Sequence, residues 1–355
     1  MGVMGAPVRD GRPVPGDVRG VILAAGRGTR LGSITATMPK PLVPVLNRPL
    51  IEWIAEDLAA AGISEAVCNL HYLAPAVEAW MHAAPVPGIR LTAVTEERLT
   101  GPAGGLLAVL GQLTGADQVV VVSGDACTTV DFADVVAEHR RRGAVMSVVT
   151  HVVEDPRPFG QIGVDAGGRI TAMVRDPSRR LPSGLISTGM YVVSTAALDV
   201  LSDLRGTVPD LDFDRHLVPE LLRRGMPVAA IGTTAYWSDV GVPQALLSSS
   251  LYLLGTARLR RSARPCQDRS SHPGADIWCQ GAHPPVEGAI TGRVLLGEGV
   301  SVPAGSRVEG PSVLGARTVL AQGAHVRHSI TMPHTRVPAG LFDNAVLSGR
   351  ADTGS

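Results

Sequence analysis

From Val18 onward, short valine-rich runs alternate with longer stretches whose apolar residues recur at helical spacing, the rhythm of an α/β domain with a largely parallel sheet. The first strand is expected over 18–25, running straight into a glycine-rich loop over 26–32. Leu50, Ile51, Ile54, Leu58 and Ala61 share one helical face, with Pro49 at the start and Gly62 just past the end. A helix over 49–61 should therefore lie on the sheet. Further strands are predicted over 66–70, 90–94, 118–123, 145–153 and 185–194, and helices over 104–113 and 131–142. Gly167-Gly168, between apolar runs at 161–165 and 169–174, marks a β-hairpin.

The carboxy-terminal segment keeps a different period. Ile290, Leu296, Val302, Val308, Leu314, Leu320, Val326 and Met332 stand six residues apart. Four positions after each of the first seven come Val294, Val300, Ser306, Ser312, Thr318, Ala324 and Ile330, mostly small or β-branched. Such hexads resemble a left-handed parallel β-helix, each six residues making one face of a triangular coil with the apolar side chain on the axis. An uncovered solenoid end exposes backbone groups, so capping or assembly into a homo-oligomer is expected. The resulting plan is a loose tail over 1–17, an α/β domain over 18–255, a linker or irregular crossover over 256–285, and a β-helix over 286–349.

Composition narrows the function. Lys plus Arg equals 32 and Asp plus Glu equals 32, so no global field favours nucleic acid or an anionic membrane, and an anionic ligand needs a local site. Aromatics make up only 3% of the 355 residues, which leaves Ala, Val, Leu and Ile to fill the core. No run of about 20 apolar residues offers a membrane span, and the amino terminus has no apolar signal-type segment. Met1-Gly2 begins like a myristoylation site, but Ala6 stands where Ser or Thr is needed. Cys68, Cys127, Cys266 and Cys279 contain neither a CxxC pair nor zinc-knuckle spacing. That pattern argues against a disulfide framework and against a metal-thiolate site, and it fits reduced thiols in a cytoplasmic protein.

The loop Leu23-Ala24-Ala25-Gly26-Arg27-Gly28-Thr29-Arg30-Leu31-Gly32 follows a buried strand, where an open α/β sheet usually binds ligands. It lacks the Gly-Lys-Ser/Thr of a Walker A loop, and its glycines are spaced GxGxxxG rather than as a dinucleotide fingerprint. On its own such a loop is as compatible with a tight turn as with a phosphate cradle. The continuation Pro39-Lys40-Pro41-Leu42-Val43-Pro44-Val45 adds a rigidly presented lysine to Arg30, and two cations with a nest of backbone N–H groups suit a triphosphate.

At this point the chain resembles the sugar-phosphate nucleotidylyltransferases, whose opening motif is LAAGxGTRLxxxTxxxPKPLxPV. Leu23–Leu31, Thr35 and Pro39–Val45 fit it in register, and with the hexads the resemblance covers residues 18–349. The resemblance implies a Rossmann-like nucleotidyltransferase (GT-A-like) domain followed by a short β-helix. It also implies transfer of a nucleoside monophosphate from a nucleoside triphosphate to a sugar or cyclitol 1-phosphate, with pyrophosphate released. Arg30 and Lys40 become the expected catalytic cations, and Leu23, Ala24, Ala25, Gly26, Gly28 and Thr29 the nucleotide loop. Thr100–Leu106 resembles the family's base-reading LGTAGAL segment, which makes Ala103 and Gly104 base contacts. Ser123-Gly124-Asp125 resembles the family's NGD, and Tyr236–Pro243 its YWxDVGxP, so Asp125 and Asp239 become the expected Mg2+ ligands. Read in isolation, a Gly-Asp pair is more often a turn, and Trp237 a packing residue.

One landmark is rewritten. The family's Glu-Lys-Pro after the hairpin reads Arg175-Asp176-Pro177, with acid and base inverted, and its Asn-Ala-Gly reads Ser187-Thr188-Gly189. Phe159-Gly160 still fits the family's Tyr-Gly beside the sugar. Gly160, Arg175, Ser187 and Thr188 are thus the expected acceptor contacts, with Arg179 or Arg180 as substitutes for the missing lysine. Changes confined to the acceptor side imply an altered acceptor, and one candidate group is the guanylyltransferases of aminocyclitol antibiotic pathways, which act on valienol 1-phosphate. The mannose-1-phosphate guanylyltransferases share the loop and the hexads, which favours GTP, although Gly32 stands where many of them carry Arg. Two other classes stay open on sequence: a non-catalytic regulatory paralogue that binds nucleotide sugar, and acyl transfer by the hexads with His325, His328 or His334 as base.

Overall fold

The computed structural model describes residues 17–349 apart from residue 179 and residues 267–271. The tail over 1–16 and Arg179 therefore lie outside the described residues. Two compact units make up the chain, a larger one of residues through Gly26 with Ile51–Trp237, and a smaller one of Arg27–Leu50 with the chain from Ser238 onward.

The larger unit is a mixed α/β fold built on the expected strands. Val18–Leu23 pairs in parallel with Glu65–Leu70 on one side and Gln118–Ser123 on the other, and Arg90–Thr95 extends the sheet beyond Glu65–Leu70. Strand order thus reverses at Val18–Leu23, which makes the carboxyl ends of Val18–Leu23 and Gln118–Ser123 the topological switch point of the sheet. The long strand Leu185–Ser194 runs antiparallel to Gln118–Ser123 and to Met146–Val152. The hairpin forms from Gln161–Val164 and Ile170–Val174. The centre of the sheet is dry: Val119, Val121, Val148 and Val193 have no exposed surface. At Gly20 a methyl group would meet the Ala66 Cβ at 2.8 Å, so glycine there lets two central strands and the Leu50–Ala60 helix approach closely. Helices Ala74–Ala83, Thr195–Asp203 and Val218–Arg223 and strand Val228–Gly232 complete the unit.

In the smaller unit the hexads form a parallel β-helix. Ile290 pairs with Val308 and Val308 with Val326, eighteen residues apart each time, so three hexads complete one coil. All eight hexad residues from Ile290 to Met332 are buried. The seven small or β-branched partners are buried as well. Serine is tolerated inside because its hydroxyl finds a carbonyl, as from Ser306 Oγ to Pro303 O and Ser312 Oγ to Glu309 O, each 2.6 Å. The segment over 256–285, expected as linker, holds a short helix at Arg258–Ser262 and a strand at Ala275–Cys279, which pairs in parallel with Ala289–Leu296. That strand adds a first layer to the coil. It escapes a periodicity search because it precedes the first apolar hexad position.

The cysteine expectation needs correction. Cys266 and Cys279 are joined as a disulfide. Cys266 N–H donates to Ile277 O at 2.9 Å, and this antiparallel pairing brings the two Cα atoms to 5.4 Å, a separation that a disulfide spans without backbone movement. The two cysteines stand 13 residues apart in sequence, which leaves no short spacing to recognise. Cys68 and Cys127 are buried and stand outside any disulfide, and burial pushes the Cys68 thiol up to about 12, which keeps it protonated and inert.

Candidate active site

In the larger unit, Gly124 N–H donates to Leu23 O at 2.9 Å, so the ends of the two switch-point strands are tied together. Leu23 is half-buried, Ala24 and Ala25 are buried, and Gly26 is exposed at the mouth of the loop. Asn69, at the end of the neighbouring strand, accepts the Ala24 N–H on its side-chain oxygen at 2.8 Å. Its amide group donates to Glu96 at 2.6 Å, and Glu96 in turn accepts from Thr100 Oγ1 at 2.9 Å. This buried chain of polar groups links the loop to the start of the Pro102–Ala108 helix, where Ala103 and Gly104 sit. A Cβ on Gly104 would fall 2.5 Å from Thr100 Oγ1, so the backbone there is packed against the network. The amide groups of Ala103 and Gly104 donate to Leu211 O at 3.0 and 3.4 Å, which fixes the turn, and both residues are buried. Asn69 and Glu96 escape the sequence reading, because each is a single polar residue at the end of a strand whose partners come from other elements.

Asp125 follows the Gln118–Ser123 strand, and Ser123 Oγ donates to its carboxylate at 2.6 Å. A carboxylate thus stands at the switch point with one oxygen already oriented.

In the smaller unit, Arg30, Lys40 and Asp239 come together although Asp239 lies some two hundred residues further on. Lys40 Nζ is 3.4 Å from Asp239 Oδ1, and Arg30 Nη2 is 3.4 Å from Oδ2, so one carboxylate stands between two cations, with one oxygen facing each. Their surroundings differ sharply: the Lys40 side chain is 9% exposed and that of Arg30 is 67% exposed. Lys40 is a fixed charge and Arg30 a reaching one. Gly28 takes φ +66°, and a Cβ there would crowd the Lys40 Cβ at 3.1 Å, so glycine is required twice over. Thr35 Oγ1 braces the turn by donating to Gly28 O at 2.8 Å, while Thr29 opens the short helix that carries Arg30. A side chain at Gly241 would lie 2.8 Å from Arg30 Nη2 and 3.1 Å from Asp239 Oδ1, which explains the glycine of the Asp-Val-Gly run.

The expected acceptor residues gather elsewhere in the larger unit, around a carboxylate that sequence reading missed. Asp214 is 3% exposed, and Arg175 Nη1 donates to its Oδ2 at 3.1 Å. Burial pushes the Asp214 carboxyl up to about 6, the charge of Asp212 adds to this, and Arg175 opposes it only in part. Gly160 abuts the same group, since a Cβ at 160 would fall well inside the van der Waals contact distance to Asp214 Oδ2. Gly160 O accepts the Ser187 N–H at 2.8 Å, and the Ser187 hydroxyl is 3.1 Å from Tyr191 Oη. Gly160, Arg175 and Ser187 are therefore brought together. Thr188 is not available in the same way: it is buried, its hydroxyl donates to Val149 O at 2.7 Å, and its carbonyl accepts the Trp237 indole N–H at 2.9 Å. Arg180 donates to Glu154 O at 3.0 Å. Trp237 packs edge-on against Phe159 at 5.7 Å, so its packing role is real. Asp214 had no sequence signal of its own, being one acid in the run Asp210-Leu211-Asp212-Phe213-Asp214.

Comparison with known proteins follows from this geometry. The nucleotidyl transferase family profile matches residues 19–255. The chain is 28% identical over 294 residues to the mannose-1-phosphate guanylyltransferase of Mycobacterium tuberculosis, covering 82% of this chain and 79% of that protein. It is also 28% identical over 353 residues to the UTP–glucose-1-phosphate uridylyltransferase of Synechocystis, covering 93% of this chain and 87% of that one. Among solved structures, HddC from Yersinia pseudotuberculosis complexed with GMP-PN superposes with a TM-score of 0.55 at 21% identity, over 65% of this chain and 97% of that one, a likeness of fold. The family match over two thirds of the chain, together with the motif residues placed above, shows that this protein belongs to the nucleotidyl transferases of the sugar-phosphate type.

Proposed function

We propose that the protein transfers GMP from GTP to the 1-phosphate of a sugar or cyclitol, releasing pyrophosphate, with mannose 1-phosphate and valienol 1-phosphate as the leading acceptors. The observation that carries the reading is the Arg30–Asp239–Lys40 cluster beside the Gly28 turn, a preorganised cationic cradle of the kind a triphosphate needs. In-line attack by the acceptor phosphate oxygen on the α-phosphorus asks the protein for alignment and charge neutralisation rather than covalent chemistry. Buried Lys40 holds its ammonium in place at no reorganisation cost, and exposed Arg30 closes on the phosphate chain as it arrives. Asp239 keeps the two cations apart and aimed until the triphosphate takes over their charge.

Asp125 and Asp239 are the proposed Mg2+ ligands. They fit a hard divalent cation, because both offer carboxylate oxygens and Ser123 already orients one of them. When bound, the ion supplies Lewis-acid neutralisation of the phosphates. Gly160, Arg175 and Ser187 are the proposed acceptor contacts, with Arg175 for the phosphate and the Asp214 carboxyl for a hydroxyl.

GTP is favoured over UTP by the mycobacterial relative and by the nucleotide analogue bound to HddC, while the Synechocystis relative argues the other way. A matrix of triphosphates against 1-phosphates, read as pyrophosphate release, tests the proposal. GTP with one acceptor should dominate. Comparable turnover of mannose 1-phosphate and valienol 1-phosphate would remove the cyclitol assignment. The inverted Arg175-Asp176 favours one other reading, a regulatory paralogue, and absence of release with every pair would select it.

A further inference from the structure

A second group of chemically competent side chains lies in the smaller unit, where the β-helix begins. Cys266 follows the Arg264–Pro265 strand, Cys279 ends the Ala275–Cys279 strand, and His283 stands four residues later. Their sulfur and nitrogen atoms all lie within 4.8 Å of one another. His283 Nε2 is 2.9 Å from Cys279 Sγ and 4.0 Å from Cys266 Sγ. The other ring nitrogen, Nδ1, is 2.8 Å from Pro284 O. A carbonyl only accepts, so Nδ1 carries the proton and Nε2 presents a lone pair to the two sulfurs. Metal-ligating histidines are oriented by a backbone carbonyl in this way.

A disulfide has no proton to share with that lone pair. Three lone-pair donors converging on one point are reconciled when a cation sits among them, and two sulfurs with one imidazole select a borderline-soft ion. The same residues line a groove of about 1010 Å³ that also carries Arg260, Arg261 and Arg264. Cationic surroundings favour thiolates over thiols, the form in which cysteine binds metal.

We propose that in the reduced chain Cys266, Cys279 and His283 form a Zn2+ site, with the fourth position filled by water from the groove. Reduction delivers two electrons and two protons from a dithiol to the disulfide. On binding, the two sulfhydryl protons leave to solvent, and the two thiolates balance the charge of the ion. The metal would tie Cys266 and the Arg264–Pro265 strand before it to the first layer of the solenoid. It is a separate centre from the proposed carboxylate-held Mg2+, and it does not depend on which substrates the enzyme takes.

The test uses the full chain, reduced with a dithiol, loaded with Zn2+ and desalted, with metal measured by atomic spectrometry. Wild type should retain about one zinc per chain. Cys266→Ser and His283→Ala should each retain at least tenfold less, and the oxidised wild type should retain none. His283 is only half-buried, so its replacement leaves the fold intact, which a thermal melt of the metal-free chain checks. With Co2+ in place of Zn2+, the reduced chain should show thiolate-to-cobalt charge-transfer absorption that vanishes in Cys266→Ser. A reduced wild type that retains no zinc, or a His283→Ala variant that retains as much as wild type, would overturn the site and leave the disulfide as the sole role of the two cysteines.

Discussion

The cluster at Asp239 and the pocket at Asp214 each oppose a carboxylate to arginine, and they do so in opposite ways. Asp239 is about a quarter exposed and stands between two cations. Asp214 is almost wholly buried, meets one arginine, and is pushed up to about 6. A carboxylate set between two cations and touched by water suits a group that manages phosphates. One that is desolvated and only half-balanced is pushed up toward neutrality, so it keeps its proton in mildly acid solution and can then donate a hydrogen bond to a neutral hydroxyl. Under the proposed function, the two regions would divide charge handling from shape recognition.

The largest effects should strike the charged cluster. Lys40→Ala, and Asp125→Ala at the switch point, should each lower kcat by about 100-fold to 1,000-fold while the thermal midpoint stays near that of wild type. Full activity in either variant would break the assignment. Next comes the proposed acceptor site: Gly160→Ala pushes a methyl group into Asp214 Oδ2, and KM for the acceptor should rise about tenfold, a difference of about 1.4 kcal/mol, with KM for the triphosphate unchanged. Equal changes in both constants would erase the distinction between the regions.

The pH dependence of Asp214 is smaller and has a definite sign. A carboxyl whose folded value lies near 6, above its ordinary 3.8, stabilises the fold fully below the ordinary value, and that stability is lost as pH rises through about 6. Asp214→Asn removes this dependence. Denaturant titrations of the two proteins between pH 4 and 7 should diverge by on the order of 2 kcal/mol, wild type losing stability relative to the variant as pH rises. Parallel curves would mean that Asp214 is ionised throughout. Least of all, Thr35→Val keeps the shape of the brace but removes its hydrogen bond to Gly28 O, which should cost about 1 kcal/mol of stability and only a few-fold in kcat.

Legibility from sequence tracked distance along the chain. The loop from Leu23 to Val45 could be read because one contiguous stretch supplies the turn glycines, the brace and both cations, and local geometry restricts which residues can stand there. The hexads were equally open, since each coil repeats the same burial requirement every six residues. Asn69, Glu96 and Asp214 were closed to the same reading, because a polar residue's worth depends on partners contributed by other strands. Thr188 shows the converse, a hydroxyl chosen by alignment and then found committed to Val149.

The sequence by itself determined the element order, the dry centre of the sheet, the period of the solenoid and the glycine turn with its brace and two cations, because backbone geometry and side-chain burial act over a few residues at a time. Tertiary structure alone decided that Asp239 joins Arg30 and Lys40, that Asp214 lies buried against Gly160 and Arg175, and that two cysteines and a histidine share one point at the head of the coil. Electrostatics and ligation depend on through-space separation and local dielectric, and neither is written into the spacing of residues along a chain.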